Sequence, residues 1–188
     1  MREDVRVDER RQGRWLWVSK PRYTQDEWDP TLERDELEPG YRSFSMPDDP
    51  DRGWWSCDPS TKPGDLALLY RTSPTSEVRW LLRAEGAVMD VRNDPSAQQE
   101  GFSWGVAYEV LARFDRTVTF REMSLTSPLD RWDAIVRKLH GKSDPDGEKG
   151  VWPVPIGPWK ALVKRLVSRN PETRDVFLKY ERPTPDWL

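Results

Sequence analysis

Short apolar and β-branched runs dominate the first two thirds of the chain, and they predict strands rather than helices. Residues 14–19 (RWLWVS) end at a Lys-Pro pair, and residues 65–70 (DLALLY) follow the turn at Pro63 and Gly64. Runs of this length, rich in aromatic and branched residues and bounded by turn residues, are typical of strands. Further strands are expected at 78–91 with a bulge or break at Gly86, at 104–114, and at 116–120 after a turn at Asp115.

The hydrophobic period changes in the last third of the chain, where apolar residues recur every three or four positions. A first helix is predicted behind Ser127 and Pro128, an N-cap and a first-turn proline, and it would end at Gly141. A second helix is predicted from Pro158 to Asn170, and a short third one at 176–180. The buried faces would carry Trp132, Ile135, Val136 and Leu139 in the first helix and Trp159, Leu162, Val163, Leu166 and Val167 in the second.

The remaining segments organise the chain as one domain with appendages. We interpret residues 1–13 as a flexible charged arm, residues 14–170 as a single domain, and residues 171–188 as a C-terminal extension. The domain carries an acidic, proline-punctuated insertion at about 24–52, with one helical turn near 31–37, and polar loops at 93–101 and 142–150. Strands followed by helices predict an α+β domain, built as a curved mixed sheet or small open β-barrel with flanking helices.

Composition agrees with a folded chain. Of the 188 residues, 36% are hydrophobic and 34% charged, and eleven tryptophans stand beside five phenylalanines and five tyrosines. Disordered chains are poor in aromatic residues. No apolar run approaches the roughly 20 residues of a membrane span, and the N-terminus lacks an apolar signal segment, so we expect no membrane partner. The single cysteine, Cys57, rules out an internal disulfide and favours the reducing cytoplasm.

The charged and catalytic residue types exclude several functions. Thirty Lys and Arg residues against 33 Asp and Glu give a net charge of -3, so nucleic-acid binding would require a local basic patch. A single histidine, His140, removes most hydrolase schemes, and one His with one Cys cannot build a structural zinc site. No glycine-rich phosphate-binding pattern occurs. We therefore predict no catalytic residue, no metal and no cofactor, and a protein that is not an enzyme.

Tryptophans inside periodic segments are assigned to the core. Trp80 lies within a predicted strand, and Trp132 and Trp159 lie on apolar helical faces. Trp15 and Trp17 alternate on the first strand, and we expect one of them to face the core and the other a pocket.

Trp54, Trp55 and Trp104 have a different context, because they follow polar loops. Trp54 and Trp55 are adjacent in an extended segment, so they point to opposite faces and cannot both enter one core. Flat rings beside loops suit the stacking of a planar base, which is worth roughly 1–3 kcal/mol per base.

Several motifs occur in order: RWLWVSKP, GWWSC, GDLALLYRTS, and then a tryptophan after a variable loop. This order resembles the PUA-like fold of EVE and YTH domains, over roughly residues 14–121. The EVE family opens with a WLxxSxP-type strand, matched by Trp15, Leu16, Ser19 and Pro21, and continues with a GDxxxxY-type strand, matched by Gly64, Asp65 and Tyr70. YTH domains carry a Gly-x-Trp-Ser element whose tryptophan walls a modified-base cage, matched by Gly53, Trp55 and Ser56, and Trp104 is the candidate for the second cage tryptophan. The chain departs from the family pattern at Lys20 and Arg71.

The resemblance implies a nucleic-acid binding module that holds a flipped-out modified base in an aromatic cage. The leading ligand is 5-methylcytosine in DNA, and N6-methyladenine or another modified base, in DNA or RNA, is the alternative. The candidate base contacts are Trp17, Ser19, Trp54, Trp55, Ser56, Asp58, Tyr70 and Trp104, of which Asp58 would accept from a cytosine amino group. The candidate phosphate contacts are Lys20, Arg22, Arg71, Arg79 and Arg83.

Two other functions stay open from the residues. A nucleotide-processing enzyme on the same fold would need a base or metal cluster, which the sequence does not show. A protein-interaction module would use the acidic segment at 24–52.

Overall fold

The structure is a computed structural model that describes residues 12–19, 45–46, 49–72, 75–137, 139 and 150–188. Its strands are β1 (Arg14–Ser19), β2 (Ser45–Met46), β3 (Asp49–Ser56), β4 (Leu66–Arg71), β5 (Glu77–Asp90), β6 (Trp104–Thr119) and β7 (Val151–Pro153). Its helices are α1 (Pro95–Glu100), α2 (Phe120–Ser124), α3 (Asp133–Val136), α4 (Ile156–Arg169) and α5 (Arg174–Tyr180), with 3-10 turns at Leu129–Arg131 and Pro171–Thr173.

One mixed sheet joins the strands of the described chain in the order β2-β3-β6-β5-β4-β1-β7 and curls into a half-barrel. β1 and β4 run parallel, and the other neighbouring pairs are antiparallel. The predicted α+β class, with a curved mixed sheet and flanking helices, is confirmed.

Helices α2 to α5 cover one face of the sheet, which we call the helix face. α4 lays its apolar stripe there, and all five residues predicted for that stripe are buried. Each such side chain contributes roughly 1.5–3 kcal/mol when it is fully buried. The core assignments of Trp132 and Trp159 are confirmed, because both belong to this cluster.

The opposite face is filled by side chains of the strands, and we call it the tryptophan face. It consists of Trp15, Trp17, Trp55, Cys57, Ala67, Leu69, Trp80, Leu82, Ala84, Val106, Tyr108 and Val151. Among the described residues, no helix contributes a buried side chain to this cluster. The prediction that Trp15 and Trp17 divide between core and pocket is wrong, because residues two apart on a strand share a face.

The C-terminal segment packs onto the domain. Phe177 is fully buried and stacks on Phe114, with ring centroids 6.4 Å apart. The buried Glu181 accepts a hydrogen bond of 3.0 Å from the Trp159 indole and pairs with Arg14 of β1 at 3.1 Å. Residues 171–188, predicted as an extension, therefore close the helix face.

Three strand predictions need correction. Residues 104–119 form one strand without a turn at Asp115, because β6 pairs with β5 along both of its halves and bulges absorb the register shifts. β2 and most of β3 lie within 24–52, which was expected to be a loop, since strand pairing with β6 overrides the Asp, Pro and Gly content. β7, which no pattern predicted, pairs with β1 over only three residues.

Two helix predictions also need correction. The loop at 93–101 contains α1, which Asp94 caps by accepting from the Ala97 amide and which Gly101 ends with φ of 74°. The helix predicted from Pro128 to Leu139 is instead a 3-10 turn followed by the four-residue α3. Trp132 between them is extended, which buries its indole and leaves Val136 61% exposed.

Some predicted features lie outside the described residues. They are Lys20, Arg22, His140, most of the arm at 1–13, the helical turn near 31–37, most of the insertion at 24–52, and most of the loop at 142–150. In the parts of the chain that the structure describes, no helix is both long and apolar enough to cross a membrane.

Candidate functional site

Asp65 joins the two strands that carry the first and third sequence motifs. Its buried carboxylate accepts from the Trp15 indole at 3.0 Å, from the Gly13 amide at 2.7 Å and from the Lys62 amide at 3.0 Å. Hydrogen bonds to a charged acceptor are stronger than neutral ones, so this carboxylate fixes the start of β1 against β4. The motif residues Trp15 and Asp65 thus hold the sheet together rather than contact a ligand.

Trp17 and Trp80 form a row across the tryptophan face with Leu69 between them. Trp17 pairs with Leu69 in register, and Leu69 pairs with Trp80. Trp17 is 0% and Trp80 1% exposed, which confirms the core assignment of Trp80 and places the base candidate Trp17 in the same packed row. No described residue accepts a hydrogen bond from either indole nitrogen.

Trp54 and Trp55 point to opposite faces of β3, as predicted. Trp55 enters the tryptophan face, where it is 9% exposed and meets Tyr108 edge-on at 6.4 Å. Trp54 lies over Gly105 on the other side, and an added Cβ at Gly105 would come 2.7 Å from the Trp54 ring. Ser56 is buried on the Trp54 side of the strand, away from Trp55.

Trp104 stands at the open end of the tryptophan face. It is half-buried, and it packs against the same cluster as Trp55. Val106 is the register partner of Trp55, so Trp104 is its diagonal neighbour on that face, at roughly 7–8 Å. We call Trp55, Trp104 and Tyr108 the aromatic corner.

Asp58 follows β3 beside the aromatic corner, two residues after Ser56. The Cys57 amide donates to the Trp104 carbonyl at 3.1 Å, which brings this segment against the start of β6. One carboxylate oxygen of Asp58, Oδ1, accepts from the Ser60 amide at 2.7 Å and holds a turn. Within the described chain, Oδ2 makes no hydrogen bond.

Ser19 and Arg71 are register partners on β1 and β4, one step beyond the row of Trp17. The Arg71 guanidinium lies 5.6 Å and the Arg79 guanidinium 6.0 Å from the Trp80 ring. The buried Glu77 accepts from Arg79 at 2.8 Å. Predicted base and phosphate contacts therefore meet at this end of the face, which we call the arginine end.

The arginine end and the aromatic corner lie apart along β6. Trp80 pairs with Arg113 and Trp55 pairs with Val106, seven residues away. At about 3.3 Å per residue, this separation is roughly 23 Å along the strand. The predicted contacts therefore fall into two groups rather than one cage.

Two predicted contacts face the helices instead. Tyr70 is 3% exposed within the helix-face cluster, and burial raises the pKa of its phenol. Arg83 pairs with Glu85 at 2.9 Å and with Glu109 at 2.7 Å, and it lies over the ring of Tyr180. Strand alternation puts both residues on the face opposite the tryptophans.

A groove of about 450 Å³ lies on the helix face. Its lining includes Pro128, Trp132, Trp152, Pro155 and Pro158. None of the residues predicted to contact a base or phosphate borders it. In the described chain, no group of three His, Cys, Asp or Glu side chains is placed to hold a metal ion.

Sequence reasoning missed Asp90 and Arg92, which lie beside Trp104. Asp90 is the register partner of Trp104, and the Arg92 guanidinium lies 5.8 Å from the Trp104 ring centroid. Pairing the predicted strands 78–91 and 104–114 as a hairpin would have brought these residues together. Tyr108 and Arg113 were also missed, because their placement depends on the bulges of β6.

No family model and no curated protein matches the sequence. Solved structures do share its fold. A hypothetical protein from Leishmania major has a TM-score of 0.54 at 17% identity, covering 85% of this chain and 97% of that one. Human THYN1, solved in complex with DNA containing 5-methylcytosine, has a TM-score of 0.52 at 12% identity, covering 82% of this chain and 97% of that one. At these identities the likeness shows the fold alone, which is PUA-like as predicted.

The prediction that the chain is not an enzyme is wrong. The solved structures with a related fold also include a mutant of ZmASCH, an enzyme from Zymomonas mobilis. Its TM-score is 0.43 at 11% identity, covering 82% of this chain and 96% of that one. Because function depends on the site and not on the fold, a shared fold gives no ground to exclude catalysis.

Proposed function

We propose that the chain is an EVE- or YTH-like nucleic-acid binding module that recognises a modified base, with 5-methylcytosine in DNA as the leading ligand. The observation that carries this proposal is the aromatic corner, where the half-buried Trp104 stands beside Trp55 at the open end of the tryptophan face. The fold shared with THYN1, itself solved with 5-methylcytosine DNA, supports the same function.

Stacking supplies the affinity in this proposal. An accessible indole binds an unpaired base with roughly 1–3 kcal/mol, whatever the base. The half-buried Trp104 offers such a surface, whereas Trp55, 9% exposed, forms a wall. A base flipped out of a duplex, or taken from a single strand, would lie against both rings.

Discrimination requires a polar contact as well as the methyl group. One buried methyl group contributes about 0.8 kcal/mol, which corresponds to roughly fourfold in affinity. The Oδ2 atom of Asp58 is placed to accept from an exocyclic amino group, because the Cys57 backbone ties this segment to Trp104. Cytosine presents such an amino group at N4. This pairing favours 5-methylcytosine, which keeps two donor hydrogens, over N6-methyladenine, which keeps one.

The arginine end supplies phosphate contacts for the flanking strand. Around Trp80, the described chain places Arg71, Arg79 and Arg113 on the tryptophan face beside the carboxylate of Glu77. This local excess of positive charge offsets a net charge of -3 for the whole chain. Arg83 is left out of the proposed site, because two carboxylates neutralise it on the helix face.

The test is binding of matched oligonucleotides, measured by fluorescence anisotropy. Strands carrying 5-methylcytosine, cytosine, N6-methyladenine or adenine are compared as DNA and as RNA, and we expect the tightest binding to 5-methylcytosine DNA. Trp55→Ala and Trp104→Ala should remove selectivity, and Trp104→Ala should keep the fold because the ring is half-exposed. Trp54→Ala is the matched control and should keep selectivity. Equal affinity of the wild type for modified and unmodified strands would overturn the proposal, and a preference for N6-methyladenine would replace its ligand.

A further inference from the structure

Arg92 is held over Trp104 by a carboxylate on the same hairpin. Its Nε atom donates to both oxygens of Asp90, at 2.9 and 3.1 Å, and its backbone amide donates to Asp90 at 3.1 Å. The guanidinium lies 5.8 Å from the Trp104 ring centroid, within the range of a cation–π contact. Asp90 and Trp104 are themselves register partners, so β5 and β6 bring the three side chains together.

Helix α1 fixes the backbone at this point. The Gln98 side chain donates to the Arg92 carbonyl at 2.8 Å, and the Asp94 side chain caps α1 by accepting from the Ala97 amide at 2.9 Å. Arg92 is thus anchored at both its backbone and its guanidinium, although 65% of its side chain is exposed. An exposed arginine that is already ordered loses less entropy when it binds a ligand.

The contacts of Arg92 leave part of its fork available. Asp90 engages Nε and Nη2, while Nη1 makes no hydrogen bond within the described chain. The hydrogen bonds from Arg92 hold the pKa of Asp90 at about 2, so the pair stays ionised at neutral pH. A guanidinium presents planar, directional donors that match phosphate oxygens.

From this geometry we infer that Arg92 binds the phosphate next to a base stacked in the aromatic corner, with Asp90 positioning its guanidinium over Trp104. The inference rests on the proposed function and adds the backbone contact nearest to the base. It also explains why Arg71 and Arg79, roughly 23 Å away along β6, are not the neighbours of the corner.

The experiment measures the affinity of 5-methylcytosine and cytosine DNA strands at salt concentrations from about 50 to about 200 mM. Arg92→Gln should weaken binding of both strands by about threefold to tenfold and reduce the slope of log affinity against log salt by about 0.7 for single strands. Arg92→Lys should restore the slope, because the charge returns. Arg83→Gln is the matched control, and it should leave affinity and slope unchanged.

The outcomes separate this inference from the proposed function. Wild-type affinity and slope in Arg92→Gln, with wild-type selectivity present, would overturn the inference alone. Lost selectivity with an unchanged slope would also overturn it, because Arg92 would then only orient Trp104. A wild-type protein without selectivity defeats the proposed function, whatever Arg92 does.

Discussion

Glu122 joins the end of β6 to the last turn of α4, and its replacement by glutamine should weaken the fold in a pH-dependent way. The carboxylate accepts from the Thr119 amide at 2.9 Å and completes a capping box at the start of α2. It also pairs with both terminal nitrogens of Arg169, and Arg165 approaches to 3.9 Å. Arg169 in turn donates to the Thr117 carbonyl, so one ion pair ties strand, cap and helix together.

The magnitude follows from the pKa. The hydrogen bond from Arg169, with those from Thr119, lowers the pKa of Glu122 from 4.5 to about 2. That difference corresponds to at most about 3.4 kcal/mol of folding free energy. Because 30% of the side chain is exposed, solvent screening reduces the expected value to about 1–2 kcal/mol.

The sign of the pH dependence is fixed by the lowered pKa. The stabilisation is complete above the unfolded value of 4.5 and is lost as the pH falls toward 2, with more than half gone by about pH 3. Urea unfolding of wild type and Glu122→Gln at neutral pH and at intervals down to about pH 2.5 measures this difference. Asp90→Asn is the control: the pKa of Asp90 is also about 2, but its carboxylate is fully exposed, so no comparable loss is expected. A difference between wild type and Glu122→Gln that stays constant with pH would refute the reasoning.

Two packing predictions need only thermal or urea unfolding. Phe177→Ala should cost about 3–5 kcal/mol, because the ring is fully buried against Phe114, and a loss below about 1 kcal/mol would show that the C-terminal segment is a dispensable extension. Gly105→Ala should cost about 1–3 kcal/mol, because the new Cβ meets the Trp54 ring at 2.7 Å. Gly157→Ala is its control, since the nearest atom there is 3.7 Å away, and equal stability of the two variants would contradict the Trp54 contact.

Periodicity predicted the elements whose burial depends on local sequence. The stripe of α4 needs only its own spacing, and the run at 66–71 is buried at every position as its composition suggests. The pattern failed where tertiary pairing decides. β3 contains Asp, Pro and Gly, and only its ladder with β6 makes it a strand.

The candidate site was predictable only in part, for a related reason. The separation of Trp54 and Trp55 follows from strand alternation alone. The positions of Tyr70 and Arg83 follow equally from alternation, but only once the faces of β4 and β5 are known. The contact of Arg92 with Trp104 depends on a hairpin register that bulges shift between Glu85 and Met89, and no local pattern reveals such a shift.

Gly105 connects this register to the proposed function. A slip of one residue between β3 and β6 would move Trp55 to the opposite face and dismantle the aromatic corner. The close approach of Trp54 and Val91 to the Gly105 Cα leaves no room for a side chain, so only the observed pairing lets the Trp54 ring lie over the strand. Trp54, on the face away from the proposed base, therefore helps to keep Trp55 beside Trp104. The adjacent tryptophans divide the work, because one fixes the strand pairing and the other presents its ring on the opposite face.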